Sequence, residues 1–274
     1  IVENLKKHPE WRIGLEIEPE TWDSVRVATP DSYKEFAEMV NGNQIEFTNP
    51  SYAQPYCYNI TGESIIRQFQ YGIKKIHSHF PGVKFTTYSV EEPCFTSCLP
   101  TVLSQLGFKY ASLKCPDTLW GGYSAAYGGE LVNWIGPDGT VMLTVPRYEC
   151  EELEENSTWQ TKAWRNSREY FKACEDYGIK NPVGMCYQDA GWRNGPWIGD
   201  GKGTKYVLWT DYIENIADHS LVTDYKFTQE EVRPNLMWGS QVMQRIGRQV
   251  RAAENKMVMD KKMWVIGHLE NGYN

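Results

Sequence analysis

Two acidic sites hold the residues of this sequence that could perform acid–base chemistry. Glu91 and Glu92 stand together at the end of Lys84–Val90, a run rich in β-branched and aromatic residues. Asp189 precedes five glycines between positions 191 and 203, which allow a backbone to approach a ligand closely. Cleavage of a glycosidic bond usually requires two carboxyl groups, one that attacks or stabilises the sugar cation and one that delivers a proton.

Each acidic site also has a purely structural interpretation. Adjacent residues of an extended chain point in opposite directions, so only one of Glu91 and Glu92 can readily face a cleft, and both could be solvated. Asp189 could instead hydrogen-bond its own backbone in an Asx turn. Glu16 and Glu18 alternate with apolar residues of a predicted strand, where charge on a solvated face explains both, although Glu18 could reach a cleft.

The element that must position Glu91 is a strand–loop–helix–strand unit. Lys84–Val90 has the composition of a strand. A helix is predicted to begin near residue 96 or 97, with Pro100 in its first turn, and to end at Gly107. Phe108–Lys114 is predicted to be the next strand. The acids therefore follow the carboxyl end of a strand, the edge where chemistry occurs in α/β folds.

Strands and helices are predicted to alternate along the rest of the chain, without a domain boundary. The segment Gly136–Thr140 has a strong turn signal between two apolar runs, and we interpret this hairpin as an excursion that builds one wall of the cleft. Other predicted elements are strands Trp11–Glu18 and Gln44–Thr48, helices starting at Thr29 and at the cap Thr61, helix Thr158–Tyr177 and a strand at Asn181–Cys186. A long final helix is predicted from apolar residues at 3–4 spacing, which are Met243, Ile246, Val250, Ala253 and Met257.

Four stretches of the sequence resemble, in order, the catalytic domain of glycoside hydrolase family 38, the class II α-mannosidases. The run VEEPCFTSCLPTVLSQLGF, Val90–Phe108, aligns without gaps on the family's strand, acidic loop and helix. The other three are Asn43–Gly72 (with its GE, RQ and YG pairs), the Asp loop Tyr187–Trp197, and the helix Leu236–Met257.

The resemblance implies a parallel (β/α) barrel of the glycoside hydrolase/deacetylase type, either seven-stranded or incomplete in this chain, with its cleft at the carboxyl ends of the strands. Residues 1–274 would form one catalytic domain, a fragment of a longer chain. The implied function is that of an α-mannosidase-like retaining glycosidase acting on a carbohydrate. Glu91 would be the nucleophile and a metal contact, and Asp189 the acid/base. His268 falls where the family has a zinc-binding histidine, so zinc is the implied cofactor.

Aromatic side chains are the candidates for the sugar site. The chain has 11 Trp and 17 Tyr, and flat rings can stack on the apolar face of a sugar, although a large aromatic core is the simpler interpretation. The candidates lie in loop-like, polar or glycine-rich segments, and they are Tyr52, Tyr56, Trp120, Trp192 and Trp238.

The sequence also departs from the family pattern. The family has Asp, followed by Pro, where this chain has Glu91 and Glu92. The family's first strand carries a zinc-binding His-x-Asp pair that is not visible here, and the chain opens on a helix, which indicates that an earlier strand is absent. Two other functions stay open: a metal-dependent carbohydrate deacetylase of the same fold, and a carbohydrate-binding protein without catalysis.

Composition excludes several other classes. The net charge is −7 with no basic cluster, which argues against nucleic acid or an anionic membrane as a partner. No apolar run approaches the roughly 20 residues that cross a bilayer. The seven cysteines are scattered without a CxxC motif, so neither a disulfide framework nor a zinc cage is predicted. Nucleophile-elbow, P-loop and dinucleotide-binding motifs are absent from the sequence.

Overall fold

The structure, a computed structural model, describes residues 1–90, 96–114, 125–126, 129–151, 155, 163, 167–184, 205–226 and 244–270. The helices are α1 (Val2–Lys7), α2 (Thr21–Ala28), α3 (Pro30–Met39), α4 (Gly62–His79), α5 (Leu99–Gln105), α6 (Arg168–Asp176), α7 (Trp209–Asn215) and α8 (Gln244–Glu270). The strands are β1 (Ile13–Leu15), β2 (Ile45–Phe47), β3 (Thr87–Ser89), β4 (Tyr110–Ser112), β5 (Ala125–Ala126), β6 (Leu131–Ile135), β7 (Val141–Val145), β8 (Arg147–Tyr148) and β9 (Val222–Tyr225).

The first strands form a parallel arrangement connected by helices. β1 pairs with β2 in parallel, and a five-stranded sheet has the order β3-β4-β7-β6-β9. The Ser89 N–H donates to the Thr48 carbonyl at 3.1 Å, which joins the end of β2 to the end of β3. β3, β4 and β7 are parallel to one another. The carboxyl ends of β1 and β2 therefore lie together, as do those of β3, β4 and β7, and the hydrogen bond between Ser89 and Thr48 places the two groups side by side.

The described residues do not show the predicted seven-stranded parallel barrel, whether complete or incomplete. Their strands make a mixed α/β fold of three separately paired sheets, and no sheet among them closes. β6 is antiparallel to β7, so the strand direction reverses within the sheet. A reversed strand pair interrupts the uniform parallel winding that a barrel of this type requires.

The predicted hairpin exists, but its place in the fold was predicted wrongly. β6 and β7 flank the predicted turn, in which Gly139 has φ +87°, a left-handed conformation that favours glycine. Instead of forming an excursion, β7 pairs with β4 and β6 pairs with β9. Leu131 and Val132 are adjacent in β6 and both fully buried, as expected for a strand covered on two faces.

Different helices cover the two faces of the sheet. Ile45 and Phe47 of β2 belong to the main core, to which α1 to α5 all contribute. Aromatic rings dominate that core, with Trp22 stacked on Phe36 at 4.8 Å and edge-on to Phe80 at 4.9 Å between ring centroids. The opposite face packs against α7, whose Tyr212 and Ile213 form a second core with residues of β6 and β7.

Helix α8 contacts the body of the protein through polar residues. The buried Glu254 accepts hydrogen bonds from the Thr61 N–H at 3.2 Å and from the Ser64 hydroxyl at the start of α4. Three of the apolar residues at 3–4 spacing, Ile246, Val250 and Met257, are 48%, 37% and 64% exposed. Their spacing predicts a helix correctly, but in the described part of the chain they do not face a core. None of the helices described here is long and apolar enough to span a bilayer.

Helix α4 is held against the loop that follows β2. As predicted, Thr61 caps it, its hydroxyl accepting a hydrogen bond from the Ser64 N–H at 3.4 Å. The Tyr52 N–H donates to the Gln68 carbonyl at 3.1 Å, so the loop lies directly on the helix. Gly72 permits this contact, because a Cβ built there would stand 1.6 Å from the Pro50 carbonyl oxygen.

We expect Gly72→Ala to lower the free energy of unfolding by about 3 kcal/mol, since the backbone of the loop or the helix must move. Chemical denaturation measures the change. Gly62→Ala is the matched control, because the same helix has nothing within 4 Å of a Cβ at that position. Equal stability of the two variants would contradict the close packing of loop and helix.

Candidate active site

Polar residues follow the carboxyl ends of the parallel strands. Glu16 comes directly after β1 and Asn49 two residues after β2, while Lys114 comes two residues after β4. β1 is parallel to β2 and β3 is parallel to β4, and a hydrogen bond joins the ends of β2 and β3. Their carboxyl ends therefore lie near one another and form the kind of edge where α/β proteins bind ligands. Two clusters of hydrogen-bonded charged residues occupy the described part of this edge.

The first cluster holds the carboxylate of Glu16. One of its oxygens, Oε1, accepts hydrogen bonds from Asn49 Nδ2 at 2.9 Å and from Gln54 Nε2 at 2.8 Å. Asn49 is 2% exposed, and its Oδ1 accepts from the Ser51 N–H at 3.0 Å, which orients the amide toward Glu16. Gln54 has φ +41°, an uncommon conformation for a residue with a side chain. The loop after β2 is thus shaped to hold a carboxylate at the end of β1.

The second cluster is a buried ion pair between Lys114 and Glu151. Both side chains are at most 1% exposed, and Lys114 Nζ lies 3.6 Å from the centroid of the Tyr148 ring. Glu151 Oε1 also accepts from the Tyr148 N–H at 3.0 Å. Burial lowers the pKa of Lys114, and the charge of Glu151 partly opposes that shift. This pair fastens the segment after β8 to the end of β4.

A third carboxylate, Glu46, connects β2 to helix α7 across the sheet. It accepts hydrogen bonds from the Trp209 N–H at 2.8 Å and from both the N–H and the hydroxyl of Thr210. The Thr210 hydroxyl also lies 2.7 Å from the Thr87 hydroxyl of β3. Burial raises the pKa of Glu46, whereas the hydrogen bonds from Thr210 and Trp209 act in the opposite direction. Glu46 is therefore a structural carboxylate that satisfies the first N–H groups of α7.

Most of the predicted site residues lie outside the described residues. This holds for the two catalytic candidates and three of the aromatic ones, which are Glu91, Asp189, Trp120, Trp192 and Trp238. Strand β3, which ends two residues before Glu91 in the sequence, lies between β2 and β4. The segments that follow β2 and β4, the two strands beside β3, carry residues of the two clusters. The catalytic assignments stay predictions.

The two tyrosines predicted to bind substrate are described. The Tyr52 hydroxyl donates a hydrogen bond to the Glu20 carboxylate, which raises the pKa of Tyr52. The Tyr52 ring lines a shallow surface pocket with residues of α4, including Tyr71 and Lys74. Tyr56 is 39% exposed and precedes a short 3₁₀ turn, Cys57–Asn59. Their role in binding a sugar stays a prediction.

The zinc site stays a prediction. His268 lies on α8, where its ring stacks on Trp264 with 4.2 Å between centroids. Glu91, the other predicted ligand, is not described. Within the described ranges, no group of three or more His, Cys, Asp or Glu side chains is arranged to hold a metal ion. Structural zinc takes four protein ligands and catalytic zinc at least three, so we derive no chemical step through a metal.

Sequence reasoning missed the pairs that hold the edge together. The sequence pattern explains Glu16 as charge on a solvated face and places Lys114 only at the end of a predicted strand. The available signal was position, since both follow predicted strands at their carboxyl ends. Their partners, Gln54 and Glu151, are 38 and 37 residues away in the sequence, and no local pattern identifies such pairs.

Comparisons with known proteins identify a family. The sequence profile described as "Glycosyl hydrolases family 38 N-terminal domain" matches residues 1–268. A search of curated proteins finds no match. Among solved structures, the chain is similar to a 4-alpha-glucanotransferase from Thermococcus litoralis, with a TM-score of 0.44 and 15% identity over 54% of this chain and 23% of that chain. The chain thus corresponds to less than a quarter of that protein's length, and a likeness this distant carries no argument.

We expect Lys114→Met to lower the free energy of unfolding by about 3–5 kcal/mol, because it leaves the Glu151 carboxylate buried without a counter-charge. Denaturant titration at neutral pH measures the loss, and Lys114→Met/Glu151→Leu should recover much of it. Lys172→Met is the control, since Lys172 pairs with Asp176 on the exposed surface of α6 and should change stability little. A Lys114→Met variant as stable as this control would contradict the buried pair.

The raised pKa of Glu46 predicts a pH dependence of stability. A glutamate with a higher pKa in the folded than in the unfolded state binds its proton more tightly when folded, so its contribution is greatest at low pH. That contribution is lost as the pH rises from the ordinary value of 4.5 through the raised pKa. Relative to Glu46→Gln, the wild type should therefore become less stable as the pH rises through this range. Chemical denaturation of both proteins at several pH values measures their free energies of unfolding. A wild type that becomes more stable relative to Glu46→Gln as the pH rises would disprove the assignment.

Proposed function

Because the chain belongs to glycoside hydrolase family 38, we propose that it is a retaining glycosidase of the α-mannosidase type. The observation that carries the proposal is the family match over residues 1–268, nearly the whole chain. The mixed α/β fold with parallel strands is consistent with a catalytic domain of this family. The cleavage of a glycosidic bond is the general part of the proposal, and the preference for mannose is the specific part.

In this proposal the Glu91 carboxylate attacks the anomeric carbon while Asp189 protonates the departing oxygen. A glycosyl ester on Glu91 results, and the aglycone leaves with the proton from Asp189. Asp189 then takes a proton from water, the water oxygen bonds to the anomeric carbon, and the bond to Glu91 breaks. The order of β2, β3 and β4 supports the choice of Glu91, because it follows the strand between two polar clusters.

The described residues support such a site by fixing the segments around it. Asn49 and Gln54 hold Glu16 at the end of β1, where a carboxylate can accept hydrogen bonds from sugar hydroxyls. Lys114 and Glu151 fix the segment after β8 against the end of β4. Fixed polar groups favour catalysis because they need no reorganisation when charge develops in the transition state.

We expect wild-type protein to hydrolyse an aryl α-mannoside, and Glu91→Gln and Asp189→Asn to lower kcat by at least ~10²-fold. Release of the aryl group in an absorbance assay measures the rate. Glu92→Gln is the matched control, because adjacent residues of an extended chain face opposite ways and only one can serve as nucleophile. Unchanged activity in Glu91→Gln would remove Glu91 from the mechanism.

Two further measurements separate this proposal from its alternatives. Proton NMR of the first product should show the same anomeric configuration as the substrate, since two successive displacements retain it. Release of acetate from an acetylated sugar, abolished by a chelator and without cleavage of any aryl glycoside, would indicate a metal-dependent deacetylase. Sugar binding without turnover of any aryl glycoside would indicate a binding protein.

A further inference from the structure

Two cysteines that are distant in sequence lie side by side in the structure. Cys150 comes two residues after β8 and Cys174 lies on α6, 24 residues later. Their Sγ atoms are 3.7 Å apart, and both thiols are free. The sequence predicted no disulfide framework, because its seven cysteines show no motif, so this proximity arises from the fold alone.

The surroundings of the two thiols favour a bond between them. Cys174 is buried in a small core with Tyr148, Tyr170 and Ile179, and Cys150 packs against that core. The segment after β8 and helix α6 are therefore already in contact. A disulfide requires the sulfur atoms to approach to about 2.05 Å, less than 2 Å closer than they lie now. Side-chain rotation with a small backbone adjustment can supply a displacement of that size.

The two thiols differ in a way that suits an ordered reaction. Cys150 is only half-buried, whereas Cys174 is fully buried, so Cys150 is the more accessible of the two to a small reagent. The hydrogen bond between the two thiols lowers the pKa of Cys150, and the positive charge of Lys114 acts in the same direction. The same hydrogen bond raises the pKa of Cys174. Because the thiolate is the nucleophile, Cys150 is the thiol that reacts first.

We propose that Cys150 and Cys174 form a disulfide by exchange with a small disulfide such as oxidised glutathione. The Cys150 thiolate attacks one sulfur of the small disulfide, whose S–S bond breaks, and one small thiolate leaves. Cys174 loses its proton and its sulfur attacks Cys150, releasing the second small thiolate. Two protein thiols and one small disulfide thus give one protein disulfide and two small thiols, with the electrons balanced. This inference does not depend on the proposed glycosidase activity.

The bond would close a loop that begins next to Glu151. Glu151 directly follows Cys150 and holds Lys114 at the carboxyl end of β4. Closing a loop of this length restricts the unfolded chain, so the oxidised protein should resist unfolding more strongly than the reduced one. For a chain of this size we expect an increase in Tm of roughly 5 °C or more.

The test uses the full chain incubated with either oxidised glutathione or dithiothreitol. Non-reducing peptide mapping by mass spectrometry should find the peptides of Cys150 and Cys174 joined, two hydrogens lighter than their sum, only after oxidation. Thermal unfolding should show the higher Tm in the oxidised sample. No cross-link, or a pairing of either cysteine with Cys94, Cys115 or Cys186 instead, would overturn the proposal.

Variants test the order of the steps and the origin of the Tm shift. Cys174→Ser should trap a glutathione adduct on Cys150, and Cys150→Ser/Cys174→Ser should lose the redox dependence of Tm. Cys98→Ser is the matched control, since Cys98 is a free, partly buried thiol elsewhere in the fold, and it should keep both cross-link and shift. A redox-dependent Tm that survives in the double variant would contradict the proposal, and the wild-type mapping decides the matter even if a variant fails to fold.

Discussion

The architecture depends on parallel pairing of very short strands. β1, β2, β3 and β4 have three residues each, so each pair has few backbone hydrogen bonds. A ladder of that length is not stable alone, and the strands need a packed layer on at least one face. The aromatic core built by α1 to α5 covers one face, while α7 covers the other and is tied to β2 by Glu46. Because β1 is parallel to β2 and β3 to β4, and Ser89 is hydrogen-bonded to Thr48, the carboxyl ends of these strands lie near one another.

Carboxylates near that edge are stabilised by different partners. Glu16 is held by two amide groups, whereas Glu151 is paired with an ammonium group and sealed from water. A buried pair of this kind contributes little net stability, yet losing either partner is costly. Such pairs are well suited to fixing the start of a loop in one position. Membership of glycoside hydrolase family 38 indicates a glycosidase-type enzyme, and such an enzyme needs carboxyl groups held in defined positions.

Local elements of the fold could be predicted from the sequence, and long-range pairing could not. The Thr61 cap, Pro100 in the first turn of α5 and the turn at Gly139 are encoded by neighbouring residues, and each was placed correctly. The position of the hairpin was predicted wrongly because pairing of β7 with β4 joins distant segments. The apolar spacing of α8 predicted a helix correctly, but it did not show which face of the helix contacts the rest of the protein. That contact is made by the buried Glu254, a charged residue that hydrophobic periodicity does not assign to a core.

The central claim is that the carboxylate of Glu91, two residues after β3 in the sequence, becomes bonded to a sugar during turnover. The most direct measurement is to incubate the protein with an activated fluoro-mannosyl fluoride, which forms the glycosyl-enzyme quickly and releases it slowly, and to map the labelled peptide by mass spectrometry. We predict a single mannosyl label on Glu91. A label on a different carboxylate would contradict this account, and inactivation of a demonstrably folded protein without any covalent label would contradict it as well.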